Sequence, residues 1–212
     1  MLHSSYRHAL IHLAQTRLNL LAWWLLAIVT YIIARLLQTW LDAAYLASEF
    51  PVPFYIGQTT FSAPELKSYF QVLIDKGTLG LFIKTQLIDY VFMIGTFVSF
   101  FCLSTAVMRS VKAVKLHPWM LSIGVFFVWF SPLAAVFDAL ENLVSFVMLR
   151  KPLEFADWLV MPYSSFAVAK FSVFISTYLW CLVAMGTVLL VIAYRGTMLA
   201  VRKFQPGRAR EK

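Results

Sequence analysis

Asp138, Glu141 and Asn142 lie within residues 126–149, a stretch otherwise almost wholly apolar and long enough to cross a bilayer. Offsets of three and four residues put these side chains on one helical face. A carboxyl at membrane depth is costly unless it finds a partner or performs a task. Two carboxyls one helical turn apart also oppose each other's ionisation, an arrangement that suits proton exchange or acid–base chemistry. Other polar residues occupy matching depths in the remaining apolar stretches: Arg35 and Gln38 late in the first, Asp89 early in the second, Lys170 early in the fourth. At about 1.5 Å of rise per residue these depths agree. Asp89, Asp138 and Glu141 are therefore expected to meet Arg35 and Lys170 in a nearly neutral network. Lys170 is expected to pair with Asp138 or Glu141, and Asp89 with Arg35. Polar side chains also serve simply to hold spanning helices together. Five charges exceed what packing needs, which favours a site built from Arg35, Asp89, Asp138, Glu141, Asn142 and Lys170.

The elements that must position these residues are membrane helices. Hydrophobic residues make up 61% of the chain, aromatic residues 17% and charged residues only 13%, a composition that cannot furnish the surface of a water-soluble domain. Four apolar runs, at 18–41, 81–108, 119–149 and 159–194, meet the length of a spanning helix, and the last three exceed it. Pro132 and Pro162 are expected to mark bends. Arg7 and Arg17 precede the first run, Arg109, Lys112 and Lys115 follow the second, and a basic tail at 195–212 follows the fourth. The two opposite connections mix acids with bases, so both termini are expected to be cytoplasmic. The predicted fold is an all-α membrane protein, one domain over 1–212, with four transmembrane helices in a single bundle. Ala44-Tyr45-Leu46-Ala47 loosely resembles a signal-peptide cleavage site, but the apolar run before it is longer than a signal core, so the first span is expected to be retained.

The first outer loop, 42–78, has two parts. Pro51 and Pro53 make its first half extended and turn-rich. Its second half carries an amphipathic helix at 63–77: Ser62 and Glu65 match a capping box, Leu66, Tyr69, Phe70, Leu73 and Ile74 recur at helical spacing, and Gly77 offers a stop. That helix is expected to rest on the ends of the spans or on lipid. His8 and His12 have the spacing of a helical metal pair without a further ligand, and read instead as part of an interfacial N-terminal helix. Cys102 and Cys181 fall inside spans, as small apolar residues. Phosphate loops, nucleophile elbows and zinc-ligand clusters are absent from the sequence, so no metal and no cofactor are expected. The basic tail reads as an orientation signal and an attraction to anionic lipid rather than as a nucleic-acid contact.

Asp138-Ala-Leu-Glu-Asn142 in the third span, the amphipathic helix with Gly77 followed by Leu87-Ile-Asp89, and Ala169-Lys170-Phe171 together resemble a group of four-helix bacterial integral membrane proteins without an assigned activity. The likeness covers roughly residues 61–180. It implies a bacterial inner-membrane setting and a single shared site made of Asp89, Asp138, Glu141, Asn142 and Lys170. A looser analogy is to the emopamil-binding, sterol-isomerase-like superfamily, whose small bundles hold amphiphiles in a polar membrane pocket. No histidine of this chain falls inside a span, which argues against the isomerase mechanism while leaving the pocket. The function expected first is non-enzymatic binding of a small amphiphile, a lipid or a partner helix. The expected partners are the bilayer, an amphiphilic small molecule, and a second copy or another membrane protein. The alternatives are a proton- or ion-coupled transporter component, and a lipid-modifying enzyme using the Asp138/Glu141 pair, with Lys170 or Asn142 stabilising developing charge.

Overall fold

Long apolar runs with few helix breakers form long helices, because in a lipid setting every backbone amide and carbonyl must be satisfied within its own segment. The structure, a computed structural model, describes residues 2–204 and the side chains of residues 5–199. Its elements are α1 (Leu2–Ala14), α2 (Leu20–Ala47), α3 (Phe54–Gln58), α4 (Ala63–Asp75), α5 (Leu79–Ala113), α6 (Pro118–Phe130), α7 (Leu133–Leu149) and α8 (Val160–Phe204), with a 3-10 turn at Asp157–Leu159. Among the described residues there is no strand. Four rods, namely α2, α5, α6 with α7, and α8, are long and apolar enough to cross a membrane.

Boundaries follow local chemistry. Asn19 starts α2 by accepting the Ala22 N–H at 2.8 Å, and Ser62 starts α4 by accepting that of Glu65 at 3.3 Å. Gly77 ends α4 at φ +69°, a left-handed turn that glycine adopts without steric cost. Two arginines cap neighbouring helices. Arg109 donates to the carbonyls of Ala14, Thr16 and Leu18 at 2.6–2.9 Å, closing the end of α1, and Arg195 donates to that of Val114 at 2.9 Å, closing α5. The rest of the basic tail lies outside the described side chains.

The third rod breaks at Ser131–Pro132, where proline removes a backbone donor. Ser131 Oγ lies 2.7 Å from Ser104 Oγ on α5 and donates to the Phe100 carbonyl at 3.3 Å, so the break is stitched to the neighbouring helix. Tyr6 of α1 donates to the Trp129 carbonyl at 3.1 Å in the turn just before it. Pro162 causes no bend: it falls in the first turn of α8, where its missing N–H has no intrahelical partner to lose.

Helix α5 is the hub, packed against α2, α6, α7 and α8. Close approach uses small residues, as expected where lipid is as apolar as leucine. Ala34 and Gly95 meet between α2 and α5, Gly124 sits against Met108 between α6 and α5, and Ala134, Ala167, Thr177 and Ala184 are fully buried. At the end of the bundle that carries α4, a plug of Leu66, Phe70, Leu73, Phe82, Met148 and Tyr163 closes the core. At the other end Val107, Val111, Phe127, Trp180 and Val188 pack together.

Candidate ligand-binding site

The polar residues of three helices meet about two turns beneath the aromatic plug. On α7, Asp138, Glu141, Asn142 and Ser145 lie on the stripe that also buries Ala134, Ala135 and Met148, so the face that packs is the face that carries the acids. On α5 the matching stripe runs Phe82, Thr85, Gln86, Asp89, Met93 and Thr96. On α8 it runs Tyr163, Ala167, Lys170, Val173 and Thr177.

Lys170, 3% exposed, reaches both acids of α7: its Nζ lies 2.6 Å from Asp138 Oδ1 and 2.7 Å from Glu141 Oε2. The contact to Asp138 is a directed hydrogen bond, whereas the approach to Glu141 is a close ion pair without hydrogen-bond alignment. The ammonium also lies 5.2 Å from the centre of the Phe171 ring. Asn142 crosses to α5, donating Nδ2 to Asp89 Oδ2 at 2.9 Å and to the Gln86 carbonyl at 3.4 Å. Tyr90 donates to the Ala139 carbonyl at 3.3 Å and tightens the same α5–α7 contact.

Arg35 is not part of this cluster. It is exposed on α2, forms no ion pair with any described residue, and lines an adjoining recess of about 110 Å³ with Tyr31, Thr96, Ser99 and Tyr178, which shares Gln38, Phe92 and Phe174 with the cavity between the helices. The expected Asp89–Arg35 pair is therefore replaced by Asp89–Asn142. Ala34, one residue before Arg35, is the position that faces α5. Without Arg35 the expected neutrality is lost: among the described residues Lys170 is the one buried cation beside Asp89, Asp138 and Glu141, and it pairs with the last two.

Asp89, Asp138 and Lys170 face a cavity of about 200 Å³ between α2, α3, α5, α7 and α8, while Glu141 and Asn142 stand behind it as fully buried supports. The expected loop at 42–78 begins later than its charge suggests, because α2 continues to Ala47 and puts Asp42 on the cavity rim. Gln38 donates to Asp42 Oδ1 at 2.7 Å beside it. The expected extended segment contains a short helix, α3, whose Gln58 joins the cavity lining, while its buried Oε1 accepts no protein hydrogen bond. Phe92, Phe171, Phe174, Tyr45 and Phe54 form the aromatic walls. An apolar groove of about 430 Å³ on the outside, lined by Tyr55, Thr59 and Ile175, shares Phe54, Phe171 and Phe174 with the cavity.

Comparisons with protein-family models, with curated proteins and with solved structures find no match. Acceptors dominate: the carboxylates of Asp42, Asp89 and Asp138 line the cavity against one ammonium that Asp138 and Glu141 already hold. Such a lining favours a ligand that donates hydrogen bonds and carries positive charge. Among the described residues no group of three or more His, Cys, Asp or Glu side chains is disposed to hold a metal ion.

Asp42, Gln58, Thr85 and Gln86 belong to the lining and escaped the sequence-based site, whereas Gln38, also in the lining, lies at matching depth in the sequence without being counted in that site. Thr85 and Gln86 carry a usable signal, since they precede Asp89 by four and three residues on one helical face.

Proposed function

We propose that this chain is a multi-pass protein of the bacterial inner membrane, with both termini cytoplasmic, that binds a small amphiphile bearing a cationic nitrogen. The head group occupies the 200 Å³ cavity and the tail follows the adjoining aromatic groove. The observation that carries this reading is an acceptor-rich, net-acidic cavity that shares the rings of Phe54, Phe171 and Phe174 with a neighbouring apolar groove. The volume supports a head group rather than a whole lipid, since sites for drug-sized molecules run to roughly 300–1,000 Å³. Asp89 and Asp138 receive the nitrogen, Lys170 holds Asp138 and Glu141 in place, and Asn142 fixes Asp89. Burying these acids with too few cations is costly in a low-dielectric setting, and a ligand cation offsets that cost. The orientation rests on Arg17, Arg109, Lys112, Lys115 and Arg195 gathering at the end away from α4. Catalysis is not part of this reading.

The test is binding of dodecylamine and of dodecyl sulfate to protein in nanodiscs. Dodecylamine binds in preference to the sulfate. Asp89→Asn weakens it about ten- to hundredfold, the effect of losing one charge-assisted hydrogen bond. Equal binding of the two probes, or an unchanged affinity in Asp89→Asn, would sink the proposal. The excess of acid over base also fits a proton- or ion-coupled transporter component. Flux that depends on pH and stops in Asp138→Asn, with no amine bound, would select that reading instead.

A further inference from the structure

A second cavity, of about 680 Å³, lies at the opposite end of the bundle, where the turn between α1 and α2 meets the turn between α5 and α6. Its rim and its floor differ sharply in chemistry. Arg17, Lys112 and Lys115 stand on the rim, all three exposed, and none of them forms an ion pair with a described residue. The lining contains no acidic side chain. The floor is apolar: Leu121 and Val125 of α6 descend from the rim towards the middle of the bundle, and buried Val128, packed with Ala14 and Met108, closes the bottom. Arg109, also in the lining, is already committed to the carbonyls that end α1, so it shapes the cavity rather than serving a ligand.

Three uncommitted cations above an apolar slot match one kind of occupant. From this geometry we infer that the cavity seats an anionic phospholipid, its phosphate among Arg17, Lys112 and Lys115 and one acyl chain along Leu121 and Val125, ending at Val128. Charge complementarity names the head group, because phosphate oxygens accept from several ammonium and guanidinium donors at once. The helical rise names the chain: Leu121 to Val128 spans about 10 Å along α6, the reach of several methylene groups. The cations stand at the end proposed as cytoplasmic, but the seat is independent of the amine site and survives if that reading fails.

The experiment is native mass spectrometry of the full chain exchanged into detergent containing equimolar phosphatidylglycerol and phosphatidylcholine. The wild type retains phosphatidylglycerol in preference to phosphatidylcholine. The triple variant Arg17→Gln/Lys112→Gln/Lys115→Gln loses that preference, by roughly fivefold for each cation removed. Should the triple variant not fold, the exposed single variants Lys112→Gln and Lys115→Gln carry the test, and Lys112→Arg retains the lipid. Lys151→Gln, an exposed change at the other end, leaves retention unchanged. Equal retention of the two lipids by the wild type, or undiminished phosphatidylglycerol in the charge-removed variants, would overturn the inference. Displacement of the bound lipid by glycerol phosphate would overturn the acyl chain's part in it.

Discussion

Replacing Lys170 by Met keeps the length and apolar stem of the side chain and removes only the ammonium. Asp138 and Glu141 then lose the cation that lies 2.6 and 2.7 Å from them, at a position 3% exposed. Removing one partner of a buried ion pair typically costs about 3–5 kcal/mol, because the opposite charge stays buried without compensation. Each kcal/mol moves the melting temperature of a chain of this size by about 2–4 °C, so the expected loss is roughly 6–20 °C. The assay is thermal unfolding in detergent followed by tryptophan fluorescence. A second substitution separates charge from shape. Glu141→Gln in the Lys170→Met background removes one of the stranded carboxylates, and the double variant should be more stable than Lys170→Met alone. That sign is opposite to additive damage. A shift below about 2 °C for Lys170→Met, or a double variant that is the sum of two losses, would refute the view that this lysine neutralises the cluster.

Three further expectations follow from features outside the cavity. Glu65 accepts hydrogen bonds from Thr60 and from Tyr69 Oη, which hold its carboxyl below the ordinary value of 4.5. A depressed carboxyl stabilises the fold above its unfolded value and loses that contribution as pH falls through the folded one, so the first turn of α4 should lose hydrogen-exchange protection below about pH 4.5. Glu65→Gln should abolish that pH dependence. A Cβ on Gly124 would lie 3.2–3.3 Å from the Met108 backbone and stem, so Gly124→Val should cost about 1–3 kcal/mol in thermal unfolding, by forcing α5 and α6 apart. Arg109→Gln removes the charged donor that ends α1, and limited proteolysis should then cut between α1 and α2 while amine binding persists.

Part of this arrangement is legible in the sequence because helical periodicity is simple. Spacings of three and four put Asp138, Glu141 and Asn142 on one face, and a lone lysine deep in a span needs a counter-ion, which points from Lys170 to the acids of α7. Depth along a helix says nothing about rotation around it. Arg35 has the right depth, yet one residue turns a helix by about 100°, and Ala34 rather than Arg35 faces α5. Asp42 resembles a boundary because charge usually ends an apolar run, whereas α2 continues another turn and brings that carboxylate to the cavity. Gln58 is hidden by Pro51 and Pro53, which suggest extended chain. Pro53 in fact stands immediately before the first turn of α3, a place where proline is tolerated. The break at Ser131–Pro132 is legible from the proline, but its partner Ser104 is not, since only packing brings the two hydroxyls to 2.7 Å.

The central claim is that the acids of α5 and α7 receive a cationic head group. Its most direct test is native mass spectrometry of gently extracted wild-type protein beside Asp89→Asn and Asp138→Asn, matched for folding by circular dichroism. The account expects an amine-bearing amphiphile to travel with the wild type and to be lost from both variants. Wild-type protein carrying no such species, or variants that retain it in full, would contradict the account and leave the cluster as a structural clasp between helices.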